Sequence, residues 1–259
     1  MVALVSSTSH VVCDGHDYYA LHGMLSLDAA PAALVVQRTP VPPAASRNGD
    51  LFAWFSSLGY RVRGVLSTLL DAPVTRVCVL REDWVAAEKA RSAPDEDAPF
   101  TSTNDAVTSL LFRLCRTTVG AMSYNLRGRV DGLSDAHVGN YSDMVGYQAP
   151  DYCEPRRIRA SLRALRRVCS GPYPGFLASL RARFTMVTNW TSLHRSVRLR
   201  GCEQLLHLPL KDAAGFDFSA CFVFRPSEGQ VGVLMICREP AGEGRVDPAA
   251  LREAFRFFS

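Results

Sequence analysis

The chain of 259 residues has no apolar run near the roughly 18 residues that a membrane-spanning helix needs. It also has no strong excess of either charge. A net charge of +4 is too mild to imply a nucleic-acid partner, and no stretch interleaves aromatic and basic residues as a base-reading surface would. Its eight cysteines show no paired short spacing, and no secretory signal precedes them. Reduced, buried thiols in a cytoplasmic protein are therefore expected rather than a disulfide framework. There is no internal repeat. With 47% apolar and 21% charged residues, the chain is globular in composition and long enough for a sizeable core.

Close to the start stands Ser9-His10-Val11-Val12-Cys13-Asp14-Gly15, a His-x-x-x-Asp-Gly arrangement. Residues 2–9 read as a strand and residues 16–27 as a helix, so the motif falls at a strand-to-helix junction. An imidazole there can accept a proton from a hydroxyl or amine near neutral pH. The glycine permits a turn that a side chain would obstruct. Asp14 is better suited to fixing the loop than to chemistry.

Farther along, residues 38–50 form a proline-rich loop, and residues 51–70 hold one or two apolar helical turns. Val74 to Leu80 alternates as a strand does, and Asp83 to Arg91 forms a short helix. Residues 92–99 make an acidic, proline-bounded loop. Ser102 and Asp105 make a capping-box start for a helix over 102–116, with Ala106, Val107, Leu110, Leu111 and Leu114 on one stripe. Strands are expected at 119–126, 184–190, 220–225 and 231–237, the last two as a hairpin. A helix over 156–168 buries Ile158, Leu162, Leu165 and Cys169 and turns six arginines outward. Asp247-Pro248 opens a closing helix with Leu251, Phe255 and Phe258 on one face. Alternating strands and helices indicate an α/β layered fold.

The motif at His10 resembles the signature of the chloramphenicol acetyltransferase-like acyltransferases that use coenzyme A, with the plant and fungal BAHD branch nearest. Other segments are similar to that family in the same order. They are Thr101 to Leu111 leading to Phe112-Arg113, Asn125-Leu126-Arg127-Gly128-Arg129, Val138-Gly139-Asn140, and Val187-Thr188-Asn189-Trp190. One departure is clear. Where BAHD members carry Asp-Phe-Gly-Trp-Gly, this chain reads Leu199-Arg200-Gly201-Cys202-Glu203-Gln204-Leu205. In the family the motif strand lies well inside the first half, so the chain reads as lacking its N-terminal part. The resemblance implies a layered mixed sheet with helices. Residues 1–73 would be what remains of an N-terminal half-domain, and residues 74–259 a largely complete C-terminal half-domain.

The resemblance also implies the chemistry. His10 would be the general base, with Asp14 and Gly15 structural. Asp14 would pair with a distant arginine, for which Arg127, Arg129 and Arg200 are open candidates. Arg127 and Arg129 would brace the tunnel wall. Ser102, Thr103, Asn140 and Trp190 would line the tunnel or meet the oxyanion. The plainer alternatives are a helix cap for Ser102, a turn residue for Asn140 and a core ring for Trp190. His10, Cys13, His16 and His22 could suggest zinc, but their spacing on a strand-to-turn path does not suit a tetrahedral site, so no metal is expected. The arginines of 156–167 are weaker candidates for the donor's phosphates.

The expected function is transfer of an acyl group from acyl-CoA, a co-substrate and not a resident cofactor, to a hydroxyl or amine of a small metabolite. Two other readings are a catalytically silent, truncated interaction protein and an ester synthase for lipid alcohols. Relatives of the second kind show a His-His pair, and Ser9 stands where the first histidine would be. Strand 2–9, left without its usual neighbours, would offer an exposed edge for self-association.

Overall fold

The computed structural model describes residues 3–42, 48–92, 98–169, 171–240 and 248–257, excepting the side chains of 239 and 240. Seven strands form one mixed sheet among these residues. They are β1 (Asp71–Leu80), β2 (Val119–Asn125), β3 (Ser142–Tyr147), β4 (Phe184–Asn189), β5 (Ser219–Phe224), β6 (Gly232–Pro240) and β7 (Phe255–Phe257). Their spatial order is β3-β2-β4-β5-β6-β1-β7. The pairs β2/β4 and β4/β5 run parallel, and the other pairs are antiparallel.

Side-chain alternation along the strands divides the core in two. On β5, Cys221 and Val223 face one side while Ala220, Phe222 and Phe224 face the other. On β6, Val233, Met235 and Cys237 oppose Leu234 and Ile236 in the same way. The first face is covered by α4 (Glu82–Arg91), α5 (Thr103–Leu114), α7 (Pro155–Ala164) and α9 (Pro248–Ala254). The second receives Leu51 and Trp54 of α2 (Gly49–Phe55), followed by α3 (Leu58–Leu70). Two one-turn helices complete the set, α6 (Ala149–Tyr152) and α8 (Phe176–Ser179). The four strands expected at 119–126, 184–190, 220–225 and 231–237 are all in the sheet. The capping box at Ser102 and Asp105 starts α5, each side chain bonding the other's backbone N–H.

Several expectations need correction. Residues 3–9 are not a strand, so no exposed strand edge exists there for self-association. Alternating apolar residues form a strand where a neighbouring strand can take up the backbone groups, and among the described residues this segment has none. Ser6 instead bonds the Tyr18 hydroxyl at 2.9 Å and His22 Nδ1 at 3.1 Å. The motif helix, α1 (Gly15–Gly23), stops four residues earlier than its apolar pattern suggests. β3 and β7 escaped the sequence pattern. Phe255 lies in β7 and not on the closing helix, and Phe258 lies outside the described residues. β1, which contains residue 74, pairs with β6 from Asp71 to Val79.

Candidate active site

Asp14 is the N-cap of α1. Its backbone is extended, and its Oδ1 accepts the N–H groups of His16 (3.0 Å) and Asp17 (3.3 Å). This is the usual service of an aspartate to the orphan donors of a first helical turn. Its Oδ2 faces away from the helix and accepts from Arg127 Nη1 at 2.8 Å and from the Tyr141 N–H at 3.0 Å. Of the three arginines that could have paired with Asp14, the partner is Arg127. Arg129 instead lies over the Tyr124 ring at 5.9 Å, and Arg200 is exposed.

A second carboxylate joins this pair, and sequence reasoning missed it. Asp17 Oδ1 accepts from Arg127 Nη2 at 2.8 Å, and Asp17 Oδ2 accepts the Gly139 N–H at 2.7 Å. The Arg127 side chain is fully buried. It also donates to the carbonyls of His137 and Gly139 and to Asn125 Oδ1. A guanidinium has five N–H groups, and here all five have acceptors. Two carboxylates and three neutral oxygens thus offset the desolvation of one buried cation. The clamp fixes α1 to the connection between β2 and β3, over a sequence separation that no local pattern could reveal.

His10 sits in the exposed turn that leads into this clamp. Its carbonyl accepts from Asn140 Nδ2 at 2.8 Å, with the Val11 carbonyl at 3.4 Å from the same nitrogen. Among the described residues nothing hydrogen-bonds the His10 imidazole, which is open to an incoming group. Asn140 is therefore a clasp on the backbone of the turn.

Gly15 and Trp190 meet directly. A Cβ on Gly15 would lie 2.8 Å from Trp190 Nε1, so only glycine lets the start of α1 approach this ring. Trp190 follows β4, and its backbone N–H donates to the Val223 carbonyl at 2.8 Å. The ring packs against Phe222 and Tyr19, with Lys211 Nζ 5.3 Å from its centroid. Ser102 Oγ accepts the Asp105 N–H at 3.3 Å as a helix cap and donates to Asp105 Oδ2 at 2.8 Å, and Thr103 is the first residue of α5. The next residue, Asn104, accepts from Asn189 Nδ2 at 2.6 Å, which ties the start of α5 to the end of β4.

Behind α1 lies a second cluster. His194 and His207 stack with centroids 4.6 Å apart, and Tyr19 meets both edge-on. His207 Nδ1 lies 2.9 Å from the Arg225 carbonyl, which can only accept. That proton assignment leaves His207 Nε2 to accept from the Tyr19 hydroxyl at 3.2 Å. Burial pushes the His194 pKa down to about 4, helped by His207, His22 and Arg225. Burial also lowers His207, and it lowers His22 with help from His207. These rings are held neutral.

Asp14, His16 and Asp17 place ligand atoms within 4.8 Å of one another, close enough to hold a cation. All four carboxylate oxygens, however, already accept from Arg127 or backbone N–H groups. Among the arginines expected to offer phosphate contacts, Arg156 and Arg157 pair with Glu154, Arg159 with Asp105 and Arg167 with Asp50. Two cavities stand out, one lined by Tyr60, Arg63, Cys115 and Arg238, the other by Trp84, Glu88 and Arg113. Neither includes His10. All eight cysteines are free thiols, and no helix among the described residues is long and apolar enough to cross a membrane.

No family model matches the chain, and no curated protein sequence does. Solved structures do. F. graminearum TRI101, crystallised with coenzyme A and T-2 mycotoxin, matches 88% of this chain and 60% of its own length, at 10% identity and a TM-score of 0.50. Vinorine synthase matches 73% of this chain and 49% of its own, at 12% identity and TM-score 0.44. The condensation enzyme VibH matches 88% of this chain and 60% of its own, at 11% identity and TM-score 0.46. The chain thus spans about half to three-fifths of the length of these proteins. The likeness to TRI101 shows a shared mixed α/β fold.

Proposed function

We propose that this chain carries the catalytic turn of an acyltransferase, with His10 as general base and an acyl-CoA as donor. His10 takes a proton from a hydroxyl or amine of a small acceptor. The freed oxygen or nitrogen attacks the thioester carbonyl and an oxyanion forms. The C–S bond then breaks, the proton passes from the imidazolium to the sulfur, and coenzyme A leaves as a thiol. No covalent enzyme intermediate is needed. The single observation that carries this reading is the His10–Gly15 turn. It is exposed at its histidine and locked at its aspartate by a fully satisfied buried guanidinium, on a fold shared with a protein crystallised with coenzyme A. Asp14 and Gly15 are structural in this scheme. Asn140 and Trp190 shape the ground beneath the turn, and Ser102 and Thr103 belong to the opening of α5. The two half-domains, divided near residue 74, would meet at this turn, in the cytoplasm.

The test is release of free thiol from acyl-CoA in the presence of a panel of alcohols and amines. His10→Ala is expected to lower turnover by roughly two to four orders of magnitude, the range for loss of a general base. Near-normal turnover in His10→Ala would remove the assignment. Calorimetric titration with coenzyme A separates donor binding from chemistry. Binding that weakens as salt rises fits recognition of phosphates by exposed arginines, and no binding at low salt by a folded sample would count against the donor.

A further inference from the structure

α3 is built inside out. Its buried residues are Gly59, Gly64 and Ser67, all small. Tyr60 packs against the core, but four other apolar residues line the opposite face, with Leu58 66% exposed, Val65 61% and Leu69 74%, and with Val62 half-buried between them. The neighbouring α8 adds the exposed Phe176 and Leu177 beside Leu58. A Cβ on Gly59 would lie 3.2 Å from Phe176 Cα, which fixes that contact. At the other end Leu70 is also exposed. A contiguous apolar face of this kind marks an interaction surface.

We propose that this face of α3 is a two-fold interface between two copies of the chain, packed antiparallel. The order Leu58, Val62, Val65, Leu69 reads the same in both directions, with intervals of four, three and four residues. That is the seam spacing of paired helices. A two-fold axis through its middle sets Leu58 against Leu69 of the other copy and Val62 against Val65. This is the self-complementarity that an isologous interface requires. The same operation lays Phe176 and Leu177 over the Leu69–Leu70 end of the other copy, so the two ends of the face complement each other. Charge fits this orientation as well. The exposed Arg61 of one copy meets the Leu66 turn of the other, whereas a parallel pair would set Arg61 beside Arg61.

The size of the face sets the strength. A helix of this length spans about 20 Å and is about 10 Å across. With α8 it covers on the order of 300 Å2 per copy, well below the roughly 800 Å2 per partner of a stable complex. The dimer is therefore weak and reversible, forming only at high protein concentration.

Sedimentation of the full chain from about 5 to about 500 µM tests this, because a weak equilibrium shows itself as a mass that rises with concentration. The average mass is expected to rise from one chain toward two. Val65→Glu with Leu69→Glu changes only exposed positions and is expected to hold the chain monomeric throughout. Mixing the Val65→Glu chain with the Val62→Lys chain tests the orientation. The new carboxylate of one copy then faces the new ammonium of the other across the axis, and dimer is expected to return. A wild-type chain monomeric at every concentration would overturn the proposal. So would an undiminished dimer in the double variant. If the wild type stays monomeric yet co-sediments with phosphatidylserine vesicles, the face belongs to a membrane surface instead.

Discussion

The two ends of α1 are held by opposite physics. At its start, Asp14 and Asp17 grip the buried Arg127 with charges at 2.8 Å. At its end, Tyr19 and His22 pack into a cluster of histidines that burial keeps uncharged. A charged clamp is directional, and its parts cannot be removed singly without leaving a buried charge behind. A neutral aromatic cluster is held by many weak contacts, each dispensable, but it fails together when its rings are forced to charge. The first fixes where the His10–Gly15 turn lies. The second holds the helix that bears it against the loop after β4.

The most severe way to break this asymmetry is Arg127→Met. It strands two carboxylates in the core, and breaking a buried pair costs about 3–5 kcal/mol. In a chain of this size that lowers the melting temperature by roughly 10 °C or more. Tyr19→Phe at the other end removes one hydrogen bond, to His207, and costs about 1 kcal/mol. Calorimetric melting of the two variants side by side measures the contrast. Similar losses in both would mean that the clamp contributes no more than an ordinary contact.

Acid sharpens the comparison from the other side. The unfolded histidines take up protons below about pH 6.5, while in the folded protein His194 stays neutral until about pH 4. The unfolded state therefore binds more protons between these values, and stability falls as the pH falls through that window. Above it the histidines are neutral in both states and cost nothing. His194 is only partly buried, so after allowance for screening the loss is about 1–2 kcal/mol. Urea midpoints at pH 7.5 and pH 4.5 report it, and His194→Phe should flatten the difference. A slope that His194→Phe leaves unchanged would place the acid sensitivity elsewhere.

The contrast also explains what could be read from the sequence. Strand alternation and the Ser102 cap are local signals, and five of the six strands expected from alternation stand in the sheet. Asp14 was legible as a structural aspartate, but its partner was one of three arginines, because the contact closes over more than a hundred residues. Asp17 carried no signal beyond its place in the first turn of α1. β3, with Ser142, Asp143 and Gly146 among its six residues, has too little alternation to be seen, and it exists because β2 is there to pair with it. The reverse holds for residues 3–9, where an apolar pattern without a neighbouring strand stays irregular. The histidine cluster draws on α1 and on residues 194 and 207, so only the fold assembles it.

The smallest expected effect is the most telling for the site. Asn140 holds the His10 carbonyl with an exposed hydrogen bond, and such a bond contributes about 0.5–1.5 kcal/mol. Asn140→Ala should therefore leave the melting temperature within a few degrees of wild type, because the Arg127 clamp and the Trp190 contact remain. The turn that carries His10, however, loses its side-chain clasp at the residue itself. If His10 is the base, its imidazole then samples more positions, and turnover should fall roughly tenfold while donor binding is kept, since positional errors near 1 Å are costly in catalysis. Asn140→Asp cannot restore the bond, because a carboxylate offers no donor to the His10 carbonyl. Asn140→Gln keeps the amide on a longer arm and should recover part of the rate. Equal stability and equal turnover in Asn140→Ala would show that the turn keeps its shape without the clasp, and that the Arg127 clamp alone sets the position of His10.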